Sequence, residues 1–255
     1  MPRIQLETGS DACPSMRLIL QYPQGRSVID SERAVPEWQS FQTLSEEECA
    51  AASRIGLHSR HFSLIPADLF DPADQEASLH QLGMKPGTAT AVQTIPEWDA
   101  RLVYSLESLS PGMPLASPPE SIWRGLLFAT RQLSSQFQQP GMLAMIIPGQ
   151  LYLLAYDGRQ LQFFNTFPTP DIHDYLYFIL NGLDQWGQSP FHTPVHLAGH
   201  VVADSPLYGL LETYLGQVRM VDQHLLPSNW VHPHVSGTQF FDLLSFAACG
   251  SSADN

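Results

Sequence analysis

Residues 141–222 constrain the fold more than any other part of the chain. Met142–Ile147 is an unbroken apolar run, the pattern of a strand buried on both faces. Pro148-Gly149 then turns the chain, because proline presets φ and glycine supplies positive φ. Leu151–Tyr156 is the next strand, Asp157-Gly158 is a hairpin signal of the type I′ kind, and Leu161–Phe167 is the third strand. Thr169-Pro170-Asp171 opens a helix, with an N-cap hydroxyl, proline at the first helical position and an acid facing the helix dipole. Its buried stripe runs through Ile172, Tyr175, Leu176, Ile179, Leu183 and Trp186. Val195–Ala198 is a short buried strand ending at Gly199. Ser205-Pro206 starts a second helix over Leu207, Leu210, Leu211, Tyr214 and Leu215, which Gly216 stops. Gln217–Val221 is a last short strand.

The order is βββαβα, which is that of half a ribonuclease H-like or actin-like domain. Met16–Leu82 repeats it more faintly. Met16–Tyr22 and Ser27–Asp30 flank the turn Pro23-Gln24-Gly25, and Val35–Phe41 is the third strand. Ser45 and Glu48 form a capping box for a short helix that stops near Gly56. His61–Pro66 is the fourth strand, and Asp71-Pro72 caps a helix ending at Gly83. Thr88–Ile95 and Arg101–Leu106 are two further strands with no assigned place. Ser117-Pro118-Pro119-Glu120 fits a second capping box, opening a long helix through Ile122, Leu126, Leu133 and Phe137 that bridges the halves and ends at Pro140-Gly141. Gln239–Ala247 is a terminal helix, and Gly250–Asn255 is expected to be disordered. The expected fold is therefore α/β, with duplicated ribonuclease H-like halves arranged as an actin-like ATPase fold. Residues 1–140 form the first half with its bridging helix, and residues 141–255 the second half with the C-terminal helix.

Charge excludes several functions. Net charge is −13, only 15% of residues are charged, and Lys85 is the only lysine. Binding to nucleic-acid phosphates or an anionic membrane takes clustered Lys and Arg, and here the arginines are scattered. The 3 cysteines, Cys13, Cys49 and Cys249, fit neither a disulfide framework nor a zinc knuckle. Met1–Pro14 lacks the basic and apolar regions of a signal peptide, and no apolar run approaches the ~18 residues of a membrane span. The expectation is a cytoplasmic protein without a transmembrane segment, with a protein partner rather than nucleic acid.

Several short motifs carry a family resemblance. Phe164-Asn165-Thr166-Phe167, Asp174-Tyr175-Leu176-Tyr177, Leu197-Ala198-Gly199-His200 and Asp204-Ser205-Pro206-Leu207-Tyr208 resemble an uncharacterised bacterial family typical of gut Bacteroidetes. Phe62-Ser63-Leu64-Ile65-Pro66 and Leu69-Phe70-Asp71 do the same in the first half. The resemblance spans about Met16 to Cys249. It implies an actin-like ATPase fold in a domain of unknown function, with a cytoplasmic adaptor of pilus assembly as the nearest functional analogue in fold.

The chemistry of such a fold can be checked residue by residue. Actin-like ATPases place an Asp-x-Gly motif at the turn after the first strand of each half, where the glycine lets N–H groups approach phosphates and the carboxylate organises Mg²⁺. The corresponding turns here are Tyr22-Pro23-Gln24-Gly25 and Ile147-Pro148-Gly149-Gln150. Each keeps the glycine and lacks the acid, and each proline removes an N–H donor. Gly199-His200 stands where these folds often carry a glycine pair near the adenine. Gly25, Gly149, Gly199 and His200 thus mark a vestigial nucleotide cleft, with no cofactor expected. A ribonuclease H-type nuclease also needs an acid on the first strand, so the same absence argues against it.

The remaining candidates are weaker. His232-x-His234 with His224 is the one clustered set of metal-capable side chains, but Val231-His232-Pro233-His234 also reads as an exposed extended loop. Asp171, His173 and Asp174 resemble an acid–base cluster, although acids are favoured at a helix start regardless of function. Cys249 falls in a frayed tail and reads as incidental. Of Tyr152, Tyr156, Phe163, Phe164 and Phe167, alternate members face opposite sides of the sheet. Trp38, Trp98 and Trp230 are candidate interface anchors. The leading expectation is a non-catalytic adaptor or scaffold that kept the fold and lost the ATP site. The alternatives are a nucleotide- or small-ligand-binding protein using the cleft between the halves, and a metal-dependent hydrolase using the late histidines.

Overall fold

A computed structural model describes residues 17–30, 36–40, 44–107, 114–221, 225 and 238–251. The first sheet starts with the antiparallel strands β1 (Arg17–Tyr22), β2 (Gly25–Asp30) and β3 (Glu37–Ser40). Helix α1 (Glu46–Ala51) leads to β4 (Arg54–Leu57), which lies parallel to β1. An inserted unit follows, with β5 (Phe62–Pro66), α2 (Gln75–His80), β6 (Thr90–Ile95) and β7 (Ala100–Ser105). The chain then returns through β8 (Glu120–Ser121), parallel to β4, into α3 (Trp123–Phe137). The second sheet comprises β9 (Gly141–Ile147), β10 (Gln150–Asp157), β11 (Gln160–Pro168), α4 (Ile172–Gln185), β12 (Val195–Gly199), α5 (Pro206–Tyr214) and β13 (Val218–Met220). Helix α6 (Phe241–Ser251) ends the described chain. The two five-stranded sheets run β3-β2-β1-β4-β8 and β11-β10-β9-β12-β13. Strand order and strand direction are the same in both.

Local chemistry explains most element boundaries. Ser45 accepts from the Glu48 N–H while the Glu48 side chain accepts from Ser45, which starts α1. Gly149 (φ 70) and Gly158 (φ 53) take the positive φ that their hairpin turns require. Ser205 caps α5, with Pro206 at its first position.

The first half departs from the expected pattern. Its fourth strand is Arg54–Leu57 and not His61–Pro66. Four residues are too few for a periodic signal, and Gly56, expected to stop a helix, lies inside the strand. A Cβ there would sit 2.5 Å from Leu20 Cδ2 and 3.2 Å from the Phe246 ring. Phe62–Pro66 instead joins the Thr90–Ile95 and Ala100–Ser105 strands in a sheet ordered β5-β7-β6. The Ser117–Glu120 capping box does not form. Ser117 Oγ donates to the Ser53 carbonyl, Glu120 belongs to β8, and the long helix starts at Trp123. In the second half Asp171, not Thr169, caps α4, because Asp174 three residues on completes its capping box. Gly216 has no left-handed φ. It is needed because a Cβ would meet the Phe191 carbonyl oxygen at 2.2 Å. Helix α6 runs through Gly250 to Ser251, so Cys249 is buried in a helix and not in a frayed tail.

The main core lies between the two sheets. Helices α3 and α6 meet there, joined by Leu18, Leu20 and Tyr22 of β1 and by Tyr152, Leu154 and Tyr156 of β10. The alternate β10 residues Leu151, Leu153 and Ala155 face α4 and α5 in a second core, as period-2 alternation demands. On β11, Phe164 packs toward the inter-sheet core, and Phe163 and Phe167 toward the outer one. At Gly125 the α3 and α6 backbones approach so closely that a Cβ would lie 2.7 Å from Phe246 N. Arg54 stacks 4.2 Å from the Phe246 ring and donates to the Phe246 carbonyl at 2.7 Å, while also pairing with Glu120 at 2.6 Å. Cations are favoured near a helix C-terminus, so Arg54 pins α6 to the first half.

Candidate functional site at the junction of the two sheets

The four residues singled out as cleft residues converge at the inter-sheet junction, but each makes its close contacts with protein. The β1–β2 turn is Pro23-Gln24, and Gly25 is the first residue of β2, without positive φ. A Cβ on Gly25 would fall 2.5 Å from the Gln39 carbonyl oxygen and 2.7 Å from Trp38, so this glycine accommodates β3. The Gly149 turn faces the Gln24 side chain of the opposite half, whose Cγ lies 3.1 Å from a Cβ built on Gly149. The two first-strand turns are therefore in contact. Gly199 (φ 94) lets β12 close against β9, where the His200 N–H donates to the Ile146 carbonyl at 2.7 Å. The His200 ring packs edge-to-face on Trp38 of the first half at 4.7 Å and lies 6.0 Å from Phe240.

Polar groups from both halves fill the space between these turns. The Tyr22 hydroxyl donates to the Asp242 carboxylate of α6, and the Tyr22 and Tyr152 rings meet edge-to-face at 6.0 Å. Tyr152 OH lies 2.6 Å from His58 Nδ1, and in the Nε2–H tautomer the phenol donates. Trp123 stands against Tyr152 at 5.1 Å. Burial pushes the Asp242 carboxyl up to about 6, against the opposing effect of its bond from Tyr22. Burial also pushes His58 and His200 down to about 4, and burial with Asp242 nearby holds the Tyr22 phenol well above its usual range. The phenols stay protonated and the imidazoles neutral. Such groups act as hydrogen-bonded and aromatic glue between the halves and have little capacity to exchange protons with a substrate. The Ser27 hydroxyl and the Leu243 N–H also favour the ionised Asp242 carboxylate, and among the described residues the buried His200 Nε2 has no hydrogen-bond partner.

Asp242 makes stability pH-dependent with a defined sign. Its affinity for a proton is higher folded than unfolded, so its contribution is fully present below about pH 4, the ordinary aspartate range, and lost as pH rises through about 6. A shift of about two units corresponds to about 3 kcal/mol. In urea titrations the stability of the native chain relative to Asp242→Asn is expected to fall by about that amount between about pH 4 and 7. A difference that stays flat across this range would disprove the assignment.

Other sequence candidates end elsewhere. His173 and Asp171 form an exposed pair at 2.7 Å at the start of α4. Trp98 anchors the insert within the chain, donating to the Leu127 carbonyl at 3.0 Å beneath Arg131. Trp38 likewise joins the two halves of the same chain. His224, Trp230, His232 and His234 lie outside the described residues. Among the described residues no group of three or more His, Cys, Asp or Glu could hold a metal ion, and no helix is long and apolar enough to cross a membrane. Sequence reasoning missed Gln24, His58 and Asp242. Only Asp242 leaves a local trace, as a lone acid in the apolar run Phe240–Cys249.

The comparisons with known proteins agree with this architecture. A family described as "Protein of unknown function (DUF3822)" matches residues 123–218, from the start of α3 into β13. The chain is similar to a Bacteroides thetaiotaomicron VPI-5482 protein with actin-like ATPase fold and unknown function. Identity is 15% and the TM-score 0.63, covering 91% of this chain and 95% of that one. It is also similar to a chain of the PilM-PilN type IV pilus biogenesis complex, with 10% identity and a TM-score of 0.53, covering 94% of this chain and 99% of that one. No curated protein matches the sequence. At these identities the likeness establishes the fold, and the chain has an actin-like ATPase fold.

Proposed function

We propose that this chain is a non-catalytic actin-like protein, a pseudo-ATPase that works as a cytoplasmic adaptor or scaffold. One observation carries the reading. The two turns that would cradle phosphates from opposite sides lack their acids and touch each other through Gln24 and Gly149. Phosphate binding there would require N–H donors and a carboxylate for Mg²⁺, and it would require the halves to part. The likeness to a chain of a pilus biogenesis complex supports an assembly role by analogy of fold alone. A second reading, small-ligand binding at the junction, draws on the buried His200 Nε2, which has no hydrogen-bond partner among the described residues.

Calorimetric titration with Mg·ATP separates the two. No heat at millimolar nucleotide is the expected result. Micromolar binding would sink the pseudo-ATPase reading. Heat from ATP that Asp242→Asn abolishes would favour the ligand reading.

A further inference from the structure

We infer that the groove between β11 and the inserted sheet takes an extended peptide strand of a partner protein, with a basic side chain placed opposite Asp99. The inference deepens the adaptor reading and rests on it for the existence of a protein partner. The groove has a volume of about 550 Å³, within the ~300–1,000 Å³ of specific binding sites. Its walls come from Leu64 and Pro66 on β5, from Pro96, Trp98 and Asp99, and from Arg159–Gln162 at the start of β11.

Three features identify the occupant. The first is that β11 and β5 are both outermost strands of their sheets, each paired on one side only among the described residues. A strand edge presents a row of unpaired N–H and C=O groups, the complement of another extended backbone. The second is that neither edge is defended by charge. β11 reads Gln-Leu-Gln-Phe-Phe-Asn-Thr-Phe-Pro and β5 reads Phe-Ser-Leu-Ile-Pro, whereas exposed edges are commonly blunted by lysine or other charged side chains. The β10–β11 ladder also shifts register, pairing Ala155 with Phe163 and Tyr156 with Leu161. Gln162 is thus the extra residue of a bulge, and it lies in the groove lining.

The third feature is charge. Glu97 is already bound to Arg124 at 2.7 Å, whereas the exposed Asp99 has no ion-pair partner among the described residues. It is held at φ 47, a left-handed conformation that Asp and Asn tolerate better than other side chains. Asp99 favours a cationic residue beside apolar ones that reach Trp98 and Leu161, while Arg159, also in the lining, favours an acidic one.

The test uses the purified full chain and a displayed library of random twelve-residue peptides. Selected peptides are expected to alternate apolar residues, to carry Lys or Arg, and to slow amide hydrogen exchange along β11. N-methylation of alternate peptide amides should abolish binding, because it removes the strand's donors. Asp99→Asn, which keeps the backbone conformation, should weaken binding by roughly 2- to 5-fold, the range of an exposed ion pair. Failure to enrich any peptide would overturn the proposal, as would binding that survives N-methylation or protection that appears away from β11. Concentration-dependent self-association that protects β11 and competes with the peptides would assign the groove to a second copy and overturn it too. Repeating the measurement with Mg·ATP keeps the two readings apart. Nucleotide binding without loss of the peptide contradicts the pseudo-ATPase and leaves the groove intact.

Discussion

Trp123→Ala is expected to lower the unfolding free energy by about 3–5 kcal/mol, the range for removing a large aromatic side chain from a packed core. Trp123 is only 1% exposed and is the first residue of α3. Its ring meets Phe62 of the insert at 4.7 Å, and Phe164 and Tyr152 of the second sheet at 4.9 and 5.1 Å. One side chain therefore holds three units of the fold together. Its loss leaves a cavity that none of them can close without leaving the other two. Urea titration measures the effect. Trp123→Phe, which keeps an aromatic ring in the site, should recover most of it. A cost below about 1 kcal/mol for Trp123→Ala would mean that the three units are not coupled through this residue.

Gly199→Ala is expected to cost about 3 kcal/mol or more, although it adds one methyl group. The new Cβ would lie 2.1 Å from the Ile146 carbonyl oxygen and 2.9 Å from its carbon, which are backbone atoms of the adjacent strand and cannot rotate away. Overpacking of that kind costs about 1–3 kcal/mol, and the positive φ of 94 adds roughly 1–2 for any side chain. The bond from His200 N–H to Ile146 would also lengthen. For a chain of this size the melting point should drop by roughly 6–12 °C. Gly158→Ala is the control: it also has positive φ (53) but meets nothing within 4 Å, so it should show only the backbone strain. If both variants melt together, the close approach of β12 to β9 is not what requires glycine at 199.

These two residues show how differently the halves could be read from the sequence. In the second half each boundary is set by residues a few positions apart. Pro148-Gly149, Asp157-Gly158, Ser205-Pro206 and the unbroken run over β9 act through φ preferences, caps and periodicity, so the sequence alone determined its element order. The error at Thr169 has the same local origin, since two acceptable caps stood two residues apart and the Asp174 carboxylate decided between them. Legibility failed where a partner distant in sequence makes the decision. The four-residue β4 is a strand because β1 and β8 pair with it. Phe62–Pro66 reads as a strand anywhere, and only pairing with β7 places it in the insert.

The candidate site divides the same way. The two turns and their missing acids could be named from the sequence, because a turn is a local object. Tertiary structure alone decided that Gln24 meets Gly149, that Trp38 meets His200, and that Tyr22 bonds an acid 220 positions later. Burial and hydrogen bonding between remote segments depend on how the two halves pack, and no short-range preference in the chain encodes that packing.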